Sequence, residues 1–138
     1  VTNSRKSVKP VERKIVFDRL INDRDFELVY KTGRVVISED KKIKAKYLFE
    51  NKVINNTVKI GLSVVSKKGN SVWRNRIKRT LRESVRINRE HLRNIIELKN
   101  ADLLIIFSPY SINQTNSKKI FLNEIKPAVL DILKRIGK

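Results

Sequence analysis

"GNSVWRNRIKRTLRESVR", Gly69–Arg86, decides how this chain is read. Ile77, Leu81 and Val85 recur at intervals of four, with Trp73 near the edge of the same stripe. Residues spaced this way share one face of a helix. The stripe continues through Leu92 and Ile96, which predicts a single helix over Ser71–Leu98. Asn75, Arg79, Arg82, Arg86, Arg89 and Arg93 cluster on the opposite side, Lys78 lies between, and Glu83 and Glu90 flank the row. Like charges at i,i+3 and i,i+4 destabilise a helix, and two acids do not offset this row. A polyanion would relieve the repulsion. Arginines at these spacings have Cβ atoms about 5–6 Å apart, and each guanidinium can grip a phosphate through paired hydrogen bonds.

The start of the segment is more specific. Gly69 permits a tight turn and Asn70 is a good helix cap. Arg74 falls toward the apolar side of the wheel, where a buried guanidinium is costly. It therefore belongs in an exposed first turn or where the chain enters the helix. There the turn and the helix N-terminus would offer backbone N–H groups, Arg74, Asn75 and Arg76 together to an anion.

The whole chain carries the same message. Its 138 residues hold 32 Lys+Arg against 14 Asp+Glu, a formal charge of +18. A small protein this basic is at home beside a polyanion. Nucleic acid is favoured over an anionic membrane surface, because the apolar residues spread over several strand-like and helix-like segments rather than one amphipathic helix. The absence of cysteine excludes disulfides, cysteine–zinc sites and thiol nucleophiles. One histidine, His91, is too few for a histidine metal cluster. No apolar run approaches the roughly 20 residues of a membrane helix, and no signal-peptide pattern opens the chain, which suggests a cytoplasmic protein. No methionine occurs, at position 1 or elsewhere, which suggests a processed or trimmed start.

Outward from the basic segment, residues 1–14 read as a flexible basic arm and 15–138 as one domain. Asn22–Arg34 is a short helix: Asn22 caps it, Gly33 follows it, and Phe26, Val29 and Tyr30 share a face. Val35–Ile37, Lys44–Glu50 and Thr57–Val65 read as strands; in the second, Ala45, Tyr47 and Phe49 point one way. An Asn-rich turn at 51–56 separates the last two. Ala101–Pro109 is a buried strand, and helical spacing resumes from Ser117 to Gly137, with Pro127 expected to kink or interrupt it. The predicted class is α+β, a mainly antiparallel sheet packed with helices in an α-β sandwich of order αβββαβα.

The central segment resembles the signature of the bacterial ribonuclease P protein component, G-N-x-V-x-R-N-R-I-K-R-x-x-R-E. The matching residues are Gly69, Asn70, Val72, Arg74, Asn75, Arg76, Ile77, Lys78, Arg79, Arg82 and Glu83. "GLSV" at Gly61–Val64 and Asp25, Phe26, Tyr30 and Gly33 match in order, so the resemblance spans about residues 20 to 135. It implies a ribosomal S5 domain 2-like fold and a role as protein subunit of a ribozyme. The RNA subunit would then carry out metal-dependent removal of the 5′ leader from precursor tRNA. Ribonuclease P RNA and precursor tRNA are the implied partners, with no obligate protein partner. Mg2+ is implied for the RNA–protein holoenzyme, with no cofactor or metal assigned to the protein itself. Carried over, Lys67, Lys68, Asn70, Arg74, Asn75, Arg76, Lys78, Arg79, Arg82, Arg86 and Arg89 would contact RNA. Phe26, Tyr30 and Phe49 would line a cleft for the single-stranded leader, between the first helix and the sheet. In the family one residue usually separates the basic pair from the Gly-Asn, whereas here Lys68 abuts Gly69.

No catalytic group is visible in the chain. Asp23, Asp25 and Glu27 fit the dipole of a first helical turn, and Glu83 and Glu90 lie about 10 Å apart along a helix, too far to share a metal. A general structured-RNA-binding protein, such as a chaperone or ribosomal protein, is the alternative. A DNA recognition helix would expect a second short helix just before the basic one, where a strand is predicted instead.

Overall fold

The computed structural model describes residues 15–51 and 56–138. The basic arm and most of the Asn-rich turn lie outside the described residues. Five strands form one sheet in the order β1-β4-β5-β3-β2, from β1 (Val16–Arg19), β2 (Arg34–Ile37), β3 (Ile43–Glu50), β4 (Thr57–Leu62) and β5 (Asp102–Pro109). The helices are α1 (Asp23–Thr32), α2 (Ser71–Ile87), α3 (Arg89–Lys99) and α4 (Leu122–Ile136). A 3-10 turn, Ser66–Lys68, leads into α2.

The α+β architecture is as expected, but the order is βαβββααβα, and four features differ from the sequence reading. First, β1 pairs in parallel with the edge of β4; four residues are too few for an alternation to stand out. Second, the sheet is mixed. β1–β4 and β4–β5 are parallel, while β5–β3 and β3–β2 are antiparallel. The connection from β4 to β5 runs through α2 and α3, and such a long helical crossover returns the chain to enter in the same direction.

Third, the long helix breaks at Asn88. Its backbone stands at φ −94°, ψ 18°, ending α2 and beginning α3. Asn88 is buried, and its side-chain Nδ2 donates to the Ser84 carbonyl at 2.9 Å, which also accepts from the Asn88 backbone N–H at 3.2 Å, so the buried amide is satisfied where the helix ends. The apolar period runs on through the break, which is why the pattern concealed it. Fourth, α4 begins five residues later than expected and runs through Pro127 as one helix.

Both faces of the sheet are covered. On one, Ile43, Ala45, Val58, Leu103, Ile105 and Phe107 pack against the apolar stripes of α2, α3 and α4. On the other, Leu104 and Ile106 meet Leu20 and Val29, with Phe26 and Leu48 alongside. β5 sits centrally and is buried along nearly its whole length, as its uninterrupted apolar run requires. α1 is capped as expected: Asn22 Oδ1 accepts from the Arg24 N–H at 2.8 Å.

Candidate nucleic-acid interface

The first turn of α2 is anchored from several directions. Asn70 Oδ1 accepts from the Trp73 N–H at 2.9 Å, and the Asn70 N–H donates to Gln114 Oε1 at 2.8 Å. The buried indole of Trp73 donates through Nε1 to the Ser117 carbonyl at 2.8 Å. Gly69 is extended, so no unusual φ demands glycine there; a Cβ would lie 2.8 Å from Trp73 Cε3, and the close approach does. Arg74 stands in this first turn, half-buried, with Nε donating to the Gly69 carbonyl at 3.1 Å. That bond gives its guanidinium a partner at the edge of the apolar side.

Beyond it, Asn75, Arg76, Arg79 and Arg82 are exposed and Lys78 is half-buried. Among the described residues, Arg76, Arg79 and Arg82 form no ion pair. Arg86 differs: its Nε donates to Glu83 Oε2 at 3.1 Å, and its Nη2 pairs with the other oxygen. That hydrogen bond holds the Glu83 carboxyl below its usual range and raises the Arg86 guanidinium. Arg89, past the break, leaves the row. Its guanidinium lies 4.6 Å from the ring centre of Phe17 on β1, and that of Arg93 lies 5.4 Å away. The expected row thus divides into a segment open to a ligand, one shared arginine, and two that fold over an aromatic ring.

A second basic surface lies across the sheet. Tyr30 on α1, Lys44 and Lys46 on β3, Lys67 and Lys68 on the 3-10 turn, and Tyr110 after β5 enclose a cavity of about 380 Å³. Lys46 Nζ donates to the Tyr30 carbonyl at 3.1 Å and sits 5.2 Å from the centre of that ring. Lys44 lies 6.0 Å from the ring of Tyr110, and Lys68 Nζ donates to the Tyr110 carbonyl. Desolvation first, then the charges of Lys67 and Lys44, push the Lys68 ammonium below its ordinary pKa. Phe26 stacks on Tyr30 with ring centres 6.3 Å apart. Gly61 makes room for it, since a Cβ there would lie 3.0 Å from Phe26 Cζ.

Two expectations about these residues change. Lys67 and Lys68 face this cleft and not the arginine row. Phe49 does not join Phe26 and Tyr30: it lies on the opposite face of the sheet, packed against the main core and edge-on to Tyr47 at 5.9 Å. Strand alternation puts Leu48, not Phe49, on the α1 side. The sequence reading missed Lys44, Lys46, Tyr110 and Phe17. Lys44 and Lys46 alternate with Ile43, Ala45 and Tyr47, so their shared face was available; which helix covers that face was not.

Asp25 is paired with Lys59 at 3.1 Å, and no group of three or more His, Cys, Asp or Glu that could hold a metal occurs among the described residues.

A family model described as Ribonuclease P matches residues 16–132. The ribonuclease P protein component of Clostridium novyi is 31% identical over 120 residues, covering 87% of this chain and 94% of that protein. The component of Alkaliphilus metalliredigens is 31% identical over 119 residues, covering 86% of this chain and 93% of its own length. Among solved structures, the Staphylococcus aureus RNase P protein superimposes with a TM-score of 0.63 at 26% identity, covering 85% of this chain and 93% of that one. The Thermotoga maritima RNase P protein superimposes at 0.66 with 24% identity, covering 85% and 96%, and speaks for the fold alone.

Proposed function

From the premise that this chain belongs to the ribonuclease P protein family, we propose that it binds ribonuclease P RNA through α2 and the 5′ leader of precursor tRNA through the lysine–tyrosine cleft. Family membership makes it a subunit of an endoribonuclease and implies an RNA partner. One observation carries the finer reading: two cationic surfaces on opposite sides of one sheet, built from different side chains.

Arg76, Arg79 and Arg82 stand on a helix whose first turn is pinned at Asn70, Trp73 and Arg74. A helix held in this way loses little freedom on binding, and guanidiniums suit the paired phosphate contacts of folded RNA. The second surface combines lysines with exposed aromatic rings, the composition that holds single strands by charge and base stacking. Tyr30 and Tyr110 offer the rings, and Lys44, Lys46, Lys67 and Lys68 neutralise the backbone.

In this reading the protein aligns substrate and RNA subunit, and hydrolysis belongs to the RNA. Mg2+ would serve the complex by activating a water and stabilising phosphate charge. In this reading the ion belongs to the RNA–protein assembly. The same reading puts this work in the cytoplasm. Among the described residues, no helix is long and apolar enough to cross a membrane.

Reconstitution tests the proposal. The protein is added to a bacterial ribonuclease P RNA at magnesium concentrations where the RNA alone is slow, and 5′ cleavage of precursor tRNA is followed. Strong stimulation near equimolar protein is expected, and its loss in the Arg79→Ala/Arg82→Ala variant. Tight RNA binding with no stimulation would leave a general RNA-binding protein and sink the cofactor role.

A further inference from the structure

β1 stops at Arg19 whereas β4 continues to Leu62. Arg19 pairs with Ile60, and the Leu20 N–H donates to the Ile60 carbonyl at 3.0 Å. Past this point β1 no longer covers the outer edge of β4. A cavity of about 560 Å³ opens there, between the Phe26 end of α1 and the C-terminal half of α2. The Ser63 N–H donates toward β5, to Phe107 at 3.0 Å. Strand alternation therefore turns the Leu62 peptide groups outward, into the cavity.

The walls have two characters. Leu20, Ile60, Leu62 and Val85 make an apolar floor, with Phe17 and Phe26 beside it. Lys78, Arg82 and Arg86 of α2 and Arg89 of α3 line the opposite side, and Arg89 is already held over Phe17. One acid, Asp18, lies on the β1 side, its carboxylate accepting from the Arg19 N–H at 2.8 Å. An apolar notch with aromatic walls, one strand edge and a cationic rim matches one kind of ligand: a flat heteroaromatic ring with hydrogen-bonding edges, attached to phosphate. The volume lies in the range of pockets that enclose a single small ligand and is far too small for a duplex.

We propose that this notch takes one unpaired nucleotide of an RNA strand. Its base lies against Phe17 and Phe26 with an edge on the Leu62 peptide, and its phosphates lie on the α2 cations. The inference rests on the RNA-binding reading above and adds to it a base pocket joining the two surfaces. Phe26 belongs to both sides of the join, since it lines this notch and stacks on Tyr30.

The test uses the full chain with two RNAs carrying 4-thiouridine, a bacterial ribonuclease P RNA and a precursor tRNA with its leader. Each complex is irradiated and the cross-linked peptides are mapped. Cross-links at Phe17, Phe26 or Leu62 are expected from one of the two, and the arm that gives them identifies the source of the nucleotide. Phe17→Leu, which keeps an apolar side chain, should weaken binding of that RNA about tenfold. Arg82→Ala should lower the salt slope by about one. Should Phe17→Leu fail to fold, replacing the cross-linked nucleotide by an abasic one tests the same contact on the unaltered protein, again with about tenfold loss. Both RNAs bound but cross-linked only elsewhere, or an abasic site without effect, overturns the pocket and leaves the RNA-binding reading standing. Failure of both RNAs to bind overturns both.

Discussion

The arginine row of α2 and the lysine cleft behind α1 carry the same sign of charge but are constructed differently. The row is one continuous segment on one helix, and its guanidiniums Arg76, Arg79 and Arg82 are exposed. The cleft is assembled from α1, β3, the 3-10 turn and the segment after β5. Its cations are tethered to backbone carbonyls and set over rings, as with Lys46 on Tyr30 and Lys68 on the Tyr110 carbonyl. A rigid row suits phosphates whose spacing is already fixed by a folded RNA. A cleft of rings and ammonium groups suits a strand that can adapt to it.

The largest expected effect breaks the row alone. Arg79→Ala/Arg82→Ala should weaken binding to the RNA subunit roughly 10- to 100-fold near 0.1 M salt and reduce the salt slope by about two, measured by filter binding across a salt series. Affinity for an isolated leader strand should fall far less, since the lysine–tyrosine cleft lies across the sheet from Arg79 and Arg82. Tyr30→Ala sharpens the other side. Loss of one stacking platform should reduce affinity for a leader-carrying precursor roughly 5- to 30-fold and spare mature tRNA. If either change strikes both ligands equally, the division into two surfaces fails.

A smaller effect concerns protonation. Lys68 titrates below its ordinary 10.5, chiefly through desolvation. Only its protonated form attracts a phosphate, so leader affinity should fall as pH rises through the lowered value, earlier than an ordinary lysine would allow. Lys68→Arg, which stays charged, should flatten that fall. An unchanged profile would mean Lys68 does not meet the strand. The smallest effect is a control on sheet faces. Phe49→Leu should cost less than about 1.5 kcal/mol of stability in a thermal melt and leave leader affinity unchanged. A loss of leader affinity would return Phe49 to the cleft.

The same contrast explains what could be read from the sequence. The row, the Asn70 cap and the buried run of β5 are local patterns, written in consecutive residues. So is the capped first helix, with Phe26 and Tyr30 on one face. The cleft is not local, because its parts meet only when β3 and β5 pair and α1 crosses their outer face. Phe49 was misassigned by this route: its alternation with Ala45 and Tyr47 was plain, but nothing local said which face of the strand α1 would cover. Asn88 shows another limit. An apolar stripe that keeps its spacing across a break hides the break, and with it the departure of Arg89 toward Phe17. β1 escaped notice because a four-residue edge strand buries little and leaves a weak pattern.

The position of β5 has a consequence for how the protein is made. β1 with β4, and β2 with β3, are pairs that touch each other only through β5. That strand is the last of the five to be synthesised. Until residue 109 has emerged, the growing chain lacks the strand that joins the two pairs and has no sheet core for α2 to lie on. The first turn of α2 waits longer still, because its partners Gln114 and Ser117 follow β5. The arginine-bearing helix therefore reaches its final geometry only after residue 117 has emerged, and a nascent chain stalled before β5 would expose its arginines without the scaffold that aligns them.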